Sequence, residues 1–185
     1  MTCICHIVNH ATMIDMKILI GLGNPGREYQ RSRHNVGFRV LELLAKKLDI
    51  TFTDSPRLFS QVGKLNDWLL VKPKTFVNGS GQAVRAVLNF YKLSPAALTV
   101  VHDDLDLPFG TWKSQFGTGP KIHNGLLSIY QALGTRDFTH LRIGVDNRAG
   151  KRTMLGKDYV LQPFSSQEER ELRVVVEEVV KYLLD

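Results

Sequence analysis

Polar side chains able to do chemistry stand where apolar runs of this 185-residue chain give way to loops or helix starts: Asn24 in GLGNPG, His34 beside Asn35 in RSRHNV, Asn78 in TFVNGSG, Asp103 in VVHDDLDLP and Asn124 in KIHNGL. Imidazole titrates near neutrality, so it can be neutral and still basic. A carboxylate fixes its tautomer, and side-chain amides both donate and accept. Taken alone, a histidine at a helix start is more often a cap or a surface residue than a base. The company of a carboxylate and several amides, each at the end of a strand or the start of a helix, reverses that preference, because such ends collect on one rim of a sheet. The set then suits hydrolysis by an activated water, with amides supporting an oxyanion.

Other chemistries fit less well. No G-x-S-x-G elbow occurs, Ser80 sits in a glycine turn without a suggested histidine partner, and both cysteines, Cys3 and Cys5, lie at the amino terminus. A covalent intermediate is therefore not expected. The CICHIVNH tract lacks the spacing and the second half-site of a zinc motif, and His102, His123 and His140 form no H-x-x-x-H pair, so no metal is expected. Asp104 and Asp106 neighbour Asp103 on a strand end, where alternation turns side chains to opposite faces; both are expected to be structural. GLGNPG, Gly21 to Gly26, matches G-x-G-x-x-G, but the helical stripe begins only near Val36. A pyrophosphate needs a helix amino terminus at the third glycine, so a nicotinamide cofactor is disfavoured.

The elements that must position these residues follow from periodicity. Strands are predicted at Lys17 to Leu22, Trp68 to Val71, Leu98 to His102, Thr111 to Phe116 and Leu141 to Val145. Val36, Val40, Leu43, Leu44 and Leu48 mark one helix. Asn78 is expected to cap a second, carrying Ala83, Val84, Val87, Leu88 and Tyr91. Ser165 and Glu168 form a capping-box pattern for a last helix striped by Leu172, Val175, Val176, Val179 and Leu183. The order implies a single-domain three-layer α/β/α sandwich around a mixed, mostly parallel twisted sheet. Residues 16–185 are expected to form that domain. Residues 1–15 read as a non-native or disordered leader without lysine or arginine, which leaves cytoplasm as the expected location. No apolar run reaches the length of a bilayer span. A formal charge of +6 favours a polyanionic partner. Arg27, Arg31, Arg33, Lys113, Lys121, Arg142, Arg148, Lys151 and Arg152 offer a phosphate-binding rim near the motifs.

GLGNPGREYQRSRHNVGF, TFVNGSG, HDDLDLPFG, HNGL and LRIGV, in that order, resemble the bacterial-type peptidyl-tRNA hydrolase family, over nearly everything from Met16 to Asp185. The resemblance implies a monomeric α/β enzyme that hydrolyses the ester joining a peptidyl group to tRNA, recycling tRNA lost from stalled ribosomes. It implies peptidyl-tRNA as the partner, with no DNA, no membrane and no cofactor. In the family pattern His34 matches the catalytic base, Asp103 the residue that orients it, and Asn24 the residue that discriminates blocked from free aminoacyl groups. Tyr29, Phe76, Asn78 and Asn124 match positions lining the substrate site, and Arg142 one that contacts tRNA phosphate. The chain departs from the pattern at Lys121 and Ile122, where members usually carry two glycines, at Gln115, where a second phosphate-contacting basic residue is usual, at Val77 for methionine, and at Gln162-Pro163 in the YVLG turn. Two other classes stay open: a catalytically silent RNA-binding relative similar to chloroplast splicing factors, and a nucleotide-cofactor oxidoreductase.

Overall fold

The computed structural model describes residues 16–148 and 154–185. The leader with Cys3 and Cys5, and the basic residues Lys151 and Arg152, lie outside the described residues.

The alternation of apolar residues in the strands builds two cores. On β1 (Lys17–Gly21), Ile18 and Ile20 point to one face of the sheet and Leu19 to the other. On β4 (Trp68–Pro73), Leu69 and Val71 join the first set, Trp68 and Leu70 the second. β5 (Leu98–Pro108) divides in the same way, with Leu98 and Val100 opposite Val101. Strands buried on both faces read as continuous apolar runs, which is why these three were legible. The helices α1 (Val36–Lys47) and α5 (Ser166–Leu184) cover one face; α2 (Ser80–Tyr91) and α3 (Asn124–Leu133) cover the other. This is the three-layer α/β/α sandwich.

The sheet has seven strands in the order β2-β3-β4-β1-β5-β7-β6, with β2 at Thr53–Ser55, β3 at Ser60–Leu65, β6 at Trp112–Phe116 and β7 at Thr139–Asp146. Its centre, β4-β1-β5-β7, is parallel, while β2-β3-β4 and β6-β7 pair antiparallel. Strand β5 runs on past its apolar start through HDDLDLP, paired with β7 to Asp104 and again at Pro108↔Asp146, with a register irregularity between. Of the expected caps, Ser165 forms both halves of a capping box with Glu168. Asn78 does not cap: it lies in a 3-10 turn, Val77–Gly79, and Gly79 precedes α2.

One close approach fixes α1 against the sheet. A methyl group on Gly37 would lie 2.3 Å from the Val101 carbonyl oxygen and 2.5 Å from the Leu22 nitrogen, so only glycine lets the helix start lie directly on the end of β1 and on β5 at Val101. Residue 34 immediately precedes this contact, and Asp103 follows it on β5. Among the described residues no helix is long and apolar enough to cross a membrane.

Candidate active site

A cleft of about 930 Å³ opens at the carboxyl ends of β1, β4 and β5, where an open α/β sheet ordinarily holds its ligand. Asn24, Tyr29, His34, Phe76, Asn78, Asp103 and Asn124 all line it. Residues that stand far apart in the chain are thus brought to one hollow by the strand ends and helix starts that carry them.

His34 belongs to a 3-10 turn, Arg33–Asn35, that leads into α1. Its Nδ1 lies 2.7 Å from Asp103 Oδ1, which leaves Nε2 as the ring nitrogen for the cleft. The same carboxylate oxygen is 3.1 Å from His123 Nε2. His123 Nδ1 accepts the Leu126 N–H at 3.3 Å and so caps α3. That bond puts the neutral ring's hydrogen on Nε2, facing Asp103. Two imidazole N–H groups therefore converge on one buried carboxylate. His123, to which spacing alone gives no part in the site, is the carboxylate's second donor. Its place in HNGL was the available signal, because a side chain before a helix start can turn back to cap it.

Burial opposes charge on both members of the pair, and their mutual attraction prevails. At His34, burial lowers the pKa, but the Asp103 charge and hydrogen bond outweigh it and raise the ring above its ordinary value. At Asp103, burial raises the pKa, yet the charges and hydrogen bonds of His34 and His123 hold the carboxyl far below the usual carboxylate range. Asp103 stays ionised throughout the working range. Beneath them His102 and His140 are fully buried. Burial, followed by the charges of neighbouring His123 and Arg142 respectively, lowers both, His140 to about 4. They are neutral packing groups.

His34, Asp103 and His123 also place three ligand-type atoms within 4.8 Å of one another. The ring nitrogens facing the carboxylate carry hydrogens in the arrangement described, and His123 cannot move its hydrogen to Nδ1 without giving up the Leu126 cap. The trio is held together by two hydrogen bonds to one carboxylate oxygen.

Asn24 is held from three directions. Its main-chain N–H donates to Asn35 Oδ1 and its carbonyl accepts from Asn35 Nδ2, both at 2.9 Å. Its Oδ1 accepts the Val77 N–H at 2.9 Å, which identifies the oxygen and leaves Nδ2 to donate. Asn35 is accordingly a buried brace behind the site. Tyr29 and Phe76 meet edge to face at 6.3 Å on one wall. Asn78 and Asn124 are exposed at the cleft.

The basic rim divides. Arg33 is buried: Nη2 donates to both carboxylate oxygens of Glu168 at 2.8 and 2.9 Å, Nη1 to the Pro163 carbonyl at 2.7 Å, and the guanidinium lies 4.2 Å from the Tyr159 ring centre. It is a structural anchor, not a rim cation, a correction that spacing could not reveal. Arg142, on β7, is also mostly buried, with Nε on Asp104 Oδ2 at 2.7 Å and Nη1 on Gln115 Oε1 at 2.6 Å. It does not line the cleft. Its cross-strand neighbour Lys113 is exposed. Lys121, Arg148 and Lys157 line the cleft. Asp104 is structural, as expected; Asp106 lines the cleft and its Oδ2 accepts the Lys121 N–H at 2.8 Å. The irregular register after Asp104 resets the alternation on which the expectation for Asp106 rested.

A family model described as peptidyl-tRNA hydrolase matches residues 18–184. The peptidyl-tRNA hydrolase of Neisseria meningitidis serogroup C (strain 053442) is 42% identical over 161 residues, covering 85% of this chain and 83% of its own. That of Rhodococcus opacus (strain B4) is 41% identical over 168 residues, covering 89% and 87%. Among solved structures, the peptidyl-tRNA hydrolase of Acinetobacter baumannii superposes with a TM-score of 0.81 at 33% identity, over 91% of this chain and 87% of that one.

Proposed function

This chain belongs to the peptidyl-tRNA hydrolase family, and from that membership we propose that His34 is the general base of its reaction and Asp103 the residue that orients it. The enzyme hydrolyses the ester bond between a peptidyl group and tRNA. The observation that carries the residue assignment is the 2.7 Å contact between His34 Nδ1 and Asp103 Oδ1 at the wall of the cleft. With Nδ1–H engaged, Nε2 takes a proton from water as the water oxygen bonds to the ester carbonyl carbon. The C–O bond to the ribose then breaks, and the imidazolium returns the proton to the leaving oxygen. Asp103, held by His123 as well, stabilises the imidazolium while remaining ionised. General-base assistance of this kind is ordinarily worth about 10²- to 10⁴-fold in rate.

Asn24 Nδ2 is the preorganised amide donor beside the base, since its Oδ1 is already bound to Val77 N–H. It suits a peptide carbonyl that a blocked amino acid has and a free one lacks. Asn78 and Asn124 supply further amides for the oxyanion and the acyl chain. On the tRNA side, exposed Lys113, side by side with Arg142 across β6 and β7, is the phosphate contact that the geometry supports best, with Arg142 fixing its setting through Asp104 and Gln115. Cytoplasm, where peptidyl-tRNA is made, is the corresponding location, and a base-carboxylate pair already in bonding contact favours a working enzyme over a silent RNA-binding relative.

The test is release of acetyl-amino acid from N-acetyl-aminoacyl-tRNA with the unblocked aminoacyl-tRNA spared. His34→Ala is expected to lower kcat/KM by about 10²- to 10⁴-fold while tRNA binding, followed by gel shift, persists. Full turnover by that variant would remove His34 from the reaction.

A further inference from the structure

The cleft joins a polar floor to apolar flanks. Ile122 is 86% exposed, Leu155 66%, Phe76 57% and Leu161 42%, and all four line it. Large apolar side chains left in water around one hollow mark a surface made to be covered. Two ties set this surface at the strand that also carries Asp103, the carboxylate that orients the base. Asp106 holds the loop of Ile122 through the Lys121 N–H, and Leu105 packs on Gly156, where an added Cβ would lie 2.9 Å from Leu105 Cδ1. Neighbouring residues of β5 therefore hold the Ile122 loop and the turn of Leu155, which precedes α4 (Gly156–Tyr159), at the same opening.

One part of the substrate matches that surface. The tRNA end is a polyanion with polar edges, whereas the acyl chain begins at the ester beside His34 and carries whatever aliphatic groups the nascent peptide has. We infer that Ile122, facing this cleft with Leu155 and Leu161, is a specificity-determining residue that favours acyl chains with bulky aliphatic side chains next to the ester. The inference rests on the esterase reading. The side chain of Ile122 is apolar and largely exposed at the cleft, so its contribution belongs to the acyl chain and not to the bond-breaking step.

The experiment compares N-acetyl-leucyl-leucyl-tRNA with N-acetyl-glycyl-glycyl-tRNA, reading the ratio of their kcat/KM values in the full-length protein. The wild-type ratio is expected to favour leucine by about tenfold, the scale on which an apolar pocket discriminates aliphatic groups. Ile122→Ser is expected to bring the ratio down several-fold, mainly through KM, and Ile122→Leu to restore it. A wild-type ratio near one, or a ratio that Ile122→Ser leaves in place, would overturn the assignment. Hydrolysis of neither ester by the wild-type protein would overturn the esterase reading and this inference with it, whereas cleavage of both at equal rates would overturn the inference alone.

Discussion

At the scale of single residues, the pair His34 and Asp103 ties activity to pH. As the proposed base, His34 must be neutral to act, and its pKa lies above the ordinary 6.5 because the Asp103 interactions outweigh burial. Activity is therefore expected to fall as pH drops through a value above 6.5. Asp103→Asn removes the charge and leaves burial to act alone; the acid limb of the kcat/KM profile is expected to move to lower pH while the plateau falls by about 10²- to 10⁴-fold. An unmoved limb would count against the pair. The linkage has a matching sign in stability. A raised native pKa contributes stability that is complete below the unfolded value and is lost as pH rises through the native one. Asn24→Ala removes the Nδ2 donor for the peptide carbonyl and strands the Val77 N–H, and kcat/KM for the blocked ester is expected to drop about 10- to 10²-fold. Much of this neighbourhood was legible, because each residue sits in a short motif at a strand end or helix start. His123 and Arg33 were not. Their roles depend on partners 20 and 135 positions away, Asp103 and Glu168, which no local pattern announces.

At the scale of elements, the buried parallel strands were readable, since burial on both faces leaves uninterrupted apolar runs. Strands β2 and β3 were not: TDS is exposed or half-buried along its length and SQVGKL mixes polar residues with a glycine, so β3 is placed by its pairing with β4, and β2 by β3, rather than by their own composition. The polar half of β5 escaped for a related reason. Asp103 and Asp104 remain in the ladder because His34 and Arg142 satisfy them on opposite faces. The seat of α1 gives a sharp test. Gly37→Ala forces its methyl group into the Val101 carbonyl and is expected to cost about 1–3 kcal/mol, read as a lower thermal midpoint. Activity at a temperature where the variant is folded is expected to fall too, because the displaced helix start carries His34. At the other end of the chain, Ser165→Ala breaks the capping box at a cost of about 1 kcal/mol, measured by urea titration.

Over the whole molecule, charge and tethering complement each other. The excess of basic residues predicts that log kcat/KM falls linearly with log salt, and Lys113→Ala is expected to make that slope shallower by about one. The tether runs from Arg33, the residue before the base, to Glu168 in the first turn of α5, across 135 positions of sequence. Because Glu168 also closes the capping box and accepts from Asn147, Glu168→Ala is expected to cost about 3–5 kcal/mol in urea titration. Chain order gives this bond a further meaning. A ribosome delivers Arg33, beside the proposed base, 135 positions before the anchor Glu168, and throughout that interval the growing polypeptide is itself an ester on tRNA. Segments ending before Ser165 are expected to show no turnover when purified and assayed, so that competence to cut such esters comes only after Glu168 and the helix that carries it have been made.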